Sequence, residues 1–462
     1  AVFGLPALAQ TITSATFVNG LTLSGGALDL SSGSDFDRRN GYFSDIYYDR
    51  ARNEWWGLSD RGPGGGTLSY ETRVQRFTLD VDSNTGAISS FQVVQTLKFS
   101  DNGQAFNGLA PTMPSVLGRS FDPEGFVVNP VSGNLLVSDE YGPSLKEFDR
   151  SGNLLRSYAA PANLVPQLSG TVDYTAAPPT LTSGREPNRG LEALAISPDG
   201  RYAYAVLQNG TVQDGWTATS RGQYSRIVKY DTATGLAVGQ YAYKLESSAQ
   251  GRGISALVAL GNDRFMILER NNRGLGVGAT LASPDKNVFM VDLAGAVDVT
   301  GINLPATGAF AGAVTKGAKV IDLDANTLVA LGNKSPEKWE GLAVGPRLAN
   351  GQYLVLAGTD NDYSVTQNGT GTQFDVYYRF NDADPYASSI QCPAGQTVNC
   401  FLTASSTTAA TLGADFQLLP GVLHAYTATI DGYVTPVPEP GTTLLMLSGL
   451  LAVGMVAKRR GR

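Results

Sequence analysis

The stretch GLEALAISPDGRYAYAVLQNG, residues 190–210, reads as a hairpin. An apolar run leads into the turn Pro198-Asp199-Gly200, and a second apolar and aromatic run ends in a polar tip. Pro presets the turn dihedral, Asp bonds its own backbone and Gly supplies a positive φ. The same layout recurs as FSDIYYDRARNEWWGLSDRG (43–62), FDPEGFVVNPVSGNLLVSDEYG (121–142), GISALVALGNDRFMILERNNRG (253–274) and EGLAVGPRLANGQYLVLAGTDND (340–362). A further strand follows each unit: TRVQRFTLDVDSNTG, SLKEFDRSGNLL, SRIVKYDTATG, KNVFMVDLAG and FDVYYRFND in chain order. Repeated three- or four-stranded antiparallel units predict an all-β, single β-propeller. Five blades are explicit. A strand near 15–30 and another near 418–429 are expected to close a sixth, and a pair of β-sandwiches is the competing architecture.

Composition agrees. The chain has 462 residues, 42% of them hydrophobic, with 54 Gly, 23 Pro and only 16% charged residues. That is ample apolar surface for a core, with many turns between strands. One His excludes a zinc site with several His ligands and two-histidine phosphatase chemistry. A Ser-His-Asp triad would have to use His424, and no G-x-S-x-G elbow exists for a carboxylester hydrolase. A net charge of -7 argues against a nucleic acid partner.

The two ends read as addresses. Ala7-Leu8-Ala9 fits a signal-peptidase site, making 1–9 the remnant of a secretory signal and Gln10 the expected mature start. The propeller is expected over 10–434, and a sorting segment over 435–462. In that segment Val437-Pro438-Glu439-Pro440 precedes seventeen uncharged residues, 441–457, and a basic tail, 458–462. The order resembles the PEP-CTERM sorting signal of Gram-negative bacteria. It implies export, transient anchoring by a transmembrane helix, and processing by an exosortase-type enzyme to leave the protein at the cell envelope or outside it. A permanent single-span anchor is the alternative. Cys392 and Cys400, close together in a Pro/Gly/Thr-rich segment, suggest a disulfide in an exported chain.

In a propeller, equivalent repeat positions form a ring. The first strands begin with Glu124, Glu192 and Glu340, with Asp45 and Ser255 in the other two units. The second strands end in Asp60-Arg61, Asp139-Glu140, Glu269-Arg270 and Asp360-Asn361-Asp362, and in Gln208-Asn209 in the third unit. Clustered carboxylates require cations, and without His or free Cys the ligands would be oxygens around Ca²⁺ or Mg²⁺. The other reading is that each carboxylate pairs with a backbone amide or an Arg to hold blades together. The Arg-Gly pairs at Arg61, Arg189, Arg252 and Arg273 offer planar donor forks for phosphate, or partners for those acids.

The runs SDRG (59–62), DPEG (122–125), SDEYGP (138–143), RGLEAL (189–194), KWEGLAV (338–344) and GTDND (358–362) resemble the phytase-like family, over roughly residues 40 to 382. That family is described as having esterase-like activity and is related in shape to the β-propeller phytases. The resemblance implies a six-bladed propeller with a phosphoester-cleaving or esterase-like site at the acidic mouth, where carboxylate-held Ca²⁺ binds substrate phosphate and activates water. Carried over by position, the metal set is Asp60, Glu124, Asp139, Glu140, Glu192, Glu269, Glu340 and Asp360. Glu124, Glu192, Glu340 and Arg61 are the expected catalytic residues. Arg61, Arg189, Arg252 and Arg270 are the expected substrate contacts. Phytate or a simpler phosphate ester is the expected substrate. A non-catalytic propeller binding exopolysaccharide or another extracellular polyanion is the alternative.

Overall fold

The computed structural model describes residues 12, 14–368, 372–405 and 407–436. Each hairpin becomes the first two strands of an antiparallel four-stranded sheet. Blade one is Asp45–Asp49, Glu54–Leu58, Arg73–Val81 and Ile88–Lys98. Blade two is Pro123–Val128, Leu135–Asp139, Leu145–Phe148 and Leu154–Ser157. Blade three is Leu191–Ile196, Tyr202–Leu207, Tyr224–Asp231 and Leu236–Lys244. Blade four is Gly253–Gly261, Arg264–Arg270, Lys286–Asp292 and Thr315–Asp322.

Blade five is composite: Trp339–Arg347, Tyr353–Thr359, then Gly421–Ala428 and finally the N-terminal strand Ala15–Leu23. The five first strands pack each against the next and the last against the first, closing a propeller-like ring. The expected sixth blade is therefore absent among the described residues. The two terminal strands that were to form it complete blade five instead. They do so because FDVYYRFND, read as that blade's third strand, lies in Thr372–Tyr378 of a separate sheet off the ring. That sheet runs from Val365 to Leu418, between the second and third strands of blade five, and the Cys392–Cys400 disulfide ties two of its strands.

Burial explains the pattern of the sequence. First strands such as Pro123–Val128 and Leu191–Ile196 are buried throughout, hence their unbroken apolar runs. Outer strands such as Leu154–Ser157 alternate in exposure. Two Glu-Gly pairs follow from close approach of neighbouring blades. A Cβ on Gly125 would sit 2.6 Å from Leu194 Cβ, and one on Gly341 2.6 Å from Ile46 Cγ1.

The closing segment crosses the lower mouth of the channel, the end where the first strands finish. Tyr433 packs edge-on against Tyr353 at 5.0 Å and receives the Arg50 guanidinium over its ring. The Val434 amide donates to Leu260 O at 3.1 Å, and Pro436 lines the channel with Ile46, Val127, Leu257 and Ala343. No helix among the described residues is long and apolar enough to cross a membrane. Residues 1–9, the motif 437–440, the expected membrane helix 441–457 and the tail 458–462 lie outside the described residues.

Asp45 holds the ring together rather than joining the other acids. Its carboxylate is buried and accepts from the amides of Ile46 and Phe126, each at 2.8 Å, so it bridges blades one and two. Asp45→Ala leaves both amides without a partner in the core, at a cost of about 1–3 kcal/mol for each. The expected result is a lower urea midpoint; an unchanged midpoint would show that the bridge contributes nothing.

Candidate functional site

The antiparallel hairpins put the start of each first strand beside the end of its second, as in Pro123 opposite Asp139 and Trp339 opposite Thr359. The acids at these two repeat positions therefore meet at one rim, opposite the mouth crossed by Tyr433. Carboxylate oxygens of Asp60, Asp122 and Glu124 lie within 4.8 Å of one another, and so do those of Glu124, Glu140 and Glu192. All five residues are buried.

Their partners are few. Arg61 donates to Asp122 through Nη1 at 2.5 Å and through its backbone amide at 3.2 Å, and Nη1 stands 3.6 Å from Glu140. Gln208 donates to Glu192 Oε1 at 2.7 Å and accepts from Arg189 Nη1, so Arg189 reaches the rim through an amide relay. Glu192 Oε2 and both carboxylate oxygens of Glu140 accept no hydrogen bond, although Glu140 is 1% exposed. The Glu124 side chain makes no hydrogen bond or ion pair with any described residue, and its carboxylate faces those of Asp60, Asp122, Glu140 and Glu192. Burial pushes Glu140 and Glu192 up to about 7, reinforced by Glu192 on the first and Glu340 on the second. Asp122 is likewise raised to about 7 by burial, and Glu124 is raised well above its usual range by burial and then by Glu192. Such a site disfavours its own ionised form until a cation arrives.

The other half of the rim supplies its own cations. Lys338 Nζ lies 2.6 Å from Asp360 Oδ2, 2.8 Å from Asp362 Oδ1 and 4.0 Å from Glu340 Oε1. Arg270 bonds Glu340 through Nη2, Glu337 through Nη1 at 3.1 Å and Ser255 Oγ through Nε at 2.8 Å. Ser255 thus keeps the ring position as a hydrogen-bond acceptor. Burial still raises Glu340 to about 8 and Asp360 to about 7.

Three residues of the expected set are engaged elsewhere. Asp139 accepts from the amides of Asp122 and Tyr141 and pairs with Lys146 at 2.9 Å. Glu269 accepts from Tyr243 Oη at 3.0 Å and pairs with Lys316 at 2.8 Å. Arg252 pairs with Glu269 and Asp285. Asp122 and Lys338 are rim residues that sequence reasoning passed over, and Gln208, placed at the ring position, was given no role. The signal for two of them was present, since Asp122 and Lys338 stand two residues before Glu124 and Glu340 inside runs already singled out.

A cleft of about 280 Å³ opens beside the cluster, lined by Asp60, Arg61, the glycine-rich loop at 62–65, Asp362 and Tyr363, with Val365 and Thr366 of the separate sheet as one wall. The corner that carries Asp362 into it is strained: Asp362, Tyr363 and Ser364 have φ of 48°, 55° and 54°. His424 makes no hydrogen bond or ion pair with the rim residues. It is buried against Trp339 and Phe17, with ring centroids at 4.6 and 4.9 Å, and burial lowers it to about 3.

A secreted protein of Arthroderma benhamiae, itself described as uncharacterized, is 25% identical over 415 residues, covering 70% of this chain and 80% of its own. Among solved structures, a Kuenenia stuttgartiensis hydrazine synthase is 14% identical, with 80% of this chain and 70% of that one covered and a TM-score of 0.28. An α-L-arabinofuranosidase from Clostridium thermocellum is 12% identical, with 74% and 91% covered and a TM-score of 0.31. A model of the PEP-CTERM protein-sorting motif matches residues 436–460, which marks the chain for export, membrane anchoring and processing by an exosortase-type enzyme at the cell envelope. A model described as phytase-like, "Esterase-like activity of phytase", matches residues 38–363, from before blade one to the strained corner after the second strand of blade five. The chain belongs to the phytase-like family.

Proposed function

We propose that this exported chain is a metal-dependent phosphoric ester hydrolase whose rim holds Ca²⁺, or Mg²⁺ in its place. One observation carries the reading: Glu140 is buried in the acid cluster, neither of its oxygens accepts a hydrogen bond, and its one ion-pair neighbour, Arg61, stands 3.6 Å away. A buried carboxylate with so little support is costly to ionise, and a bound cation offsets that cost. The donor set fits, since Glu124, Glu140 and Glu192, with Asp122 and Asp60 adjoining, offer only oxygens. When bound, the ion would neutralise phosphate charge and make water a better nucleophile at neutral pH. The chain's own part is to bind and orient. Arg61 opens on the cleft beside Asp60 and presents a planar donor fork to a phosphate. Arg189, held by Gln208, stands on the far side of Glu192 as a second phosphate contact. Phytate or a simpler phosphate ester enters by the cleft.

Three outcomes are expected. Purified protein should turn over a chromogenic phosphate ester or phytate with Ca²⁺ and lose that activity in chelator. Turnover of neither ester at any Ca²⁺ concentration ends the enzyme reading, and cation binding without turnover marks a binding propeller instead. Ca²⁺ at a hundred times its dissociation constant should stabilise the fold by about 2.7 kcal/mol, read as a higher melting temperature. Glu140→Gln should lower Ca²⁺ affinity by roughly a hundredfold or more, since even outer-shell changes cost up to that. An unchanged melting shift in that variant removes Glu140 from the site.

The pH dependence has a definite sign. Glu140, Glu192, Asp122 and Asp360 rise to about 7 and Glu340 to about 8 in the fold, above their unfolded values. Each favours the folded state while protonated, and that contribution disappears as pH rises through its folded value. In chelator, the melting temperature should therefore fall between about pH 5 and pH 8, and Ca²⁺ should oppose the fall most at the upper end. A melting temperature that climbs across this window in chelator contradicts the assignment.

A further inference from the structure

The rim is asymmetric at one repeat position. Two residues before the ring acid, blade two carries Asp122 and blade five carries Lys338. The consequence is two acidic halves that differ in the cations the chain supplies to them. In the half built by blades one to three, Arg61 alone among the described residues comes within ion-pair distance of the five acids, through Asp122 and Glu140. Among the rim carboxylates, the buried oxygens that accept no hydrogen bond, both of Glu140 and Glu192 Oε2, are all in that half. In the other half Lys338 contacts Asp360, Asp362 and Glu340, while Arg270 takes Glu340 and Glu337 from the opposite side. Asp60 lies between the halves and feels both Lys338 and Arg61.

We propose that Lys338 is a built-in cation: its ammonium occupies the place of a second divalent ion, so the rim takes a single ion, at Glu124, Glu140 and Glu192. This rests on the metal-site reading above. An ammonium is compact and carries three donors, enough to serve Asp360 and Asp362 at hydrogen-bond distance with Glu340 just beyond. A divalent ion set among the same three carboxylates would stand a few ångströms from that ammonium in a poorly screened environment, where like charges repel strongly. The Glu124–Glu140–Glu192 group has no ammonium among its oxygens: its one ion-pair neighbour, Arg61, bonds Asp122 and stands 3.6 Å from Glu140 at the group's edge. Lys338 is thus a positioning residue: it decides where the ion goes without touching it.

Counting bound ions tests this. Ca²⁺ is titrated into the metal-free full-length protein by calorimetry, and tightly bound ions are counted by equilibrium dialysis. The expected counts are one for the wild type, two for Lys338→Met and one for Lys338→Arg, which restores the charge. One ion in Lys338→Met, or two in the wild type, overturns the inference and leaves the metal-site reading standing. No ion in the wild type removes that reading, and the inference with it. If Lys338→Met does not fold, the double variant Asp360→Asn, Asp362→Asn decides. It should still bind one ion, and loss of the ion would place the site in the wrong half.

Discussion

Asp60, Asp122, Glu124, Glu140 and Glu192 share one water-poor rim, and a charge removed from water is tolerated only when something answers it. The surrounding structure is arranged around that requirement. Arg61 is held by Asp122 through both its amide and its guanidinium. Gln208 transmits Arg189 to Glu192. Lys338 and Arg270 hold the acids of blade five, Lys338 taking Asp360 and Asp362 and Arg270 taking Glu337, with Glu340 between them. Glu140 is left with little support: its oxygens accept no hydrogen bond, and Arg61 stands 3.6 Å away.

The hairpins were readable because each is local: its turn chemistry and its two runs lie within about twenty residues, and no distant partner can alter them. Blade membership was not readable, because it depends on which strand reaches the open edge. FDVYYRFND has the composition of a blade strand, yet the edge of Tyr353–Thr359 is taken by Gly421–Ala428, some sixty residues on. Reading that run into the blade left the terminal strands over and made a sixth blade seem necessary.

The site divided in the same way. Repeat position brought Asp60, Glu124, Glu140 and Glu192 to one rim because strand register is periodic. It could not separate Asp139 from Glu140. Adjacent residues on an extended chain face opposite sides, and Asp139 turned to Lys146 while Glu140 turned to the cluster. Nor could it remove Glu269, whose partner Lys316 comes from the outer strand of its own blade, 47 residues away. Asp122 and Lys338 lay in plain view, but a repeat was searched for matching residues, and these two matter because they differ.

The segment from Ile430 to Pro436 gives the molecule a polarity along its axis. After the third strand of blade five it turns under the ring, is held by Arg50, Tyr353 and Leu260, and reaches Pro436 at the centre of the lower mouth. The sorting motif begins there, at residue 436. Acid cluster and tether point thus occupy opposite poles. A chain held by that pole turns its rim to the surrounding medium, as a cup stands on its foot. Severing the foot would free the cup without touching its contents.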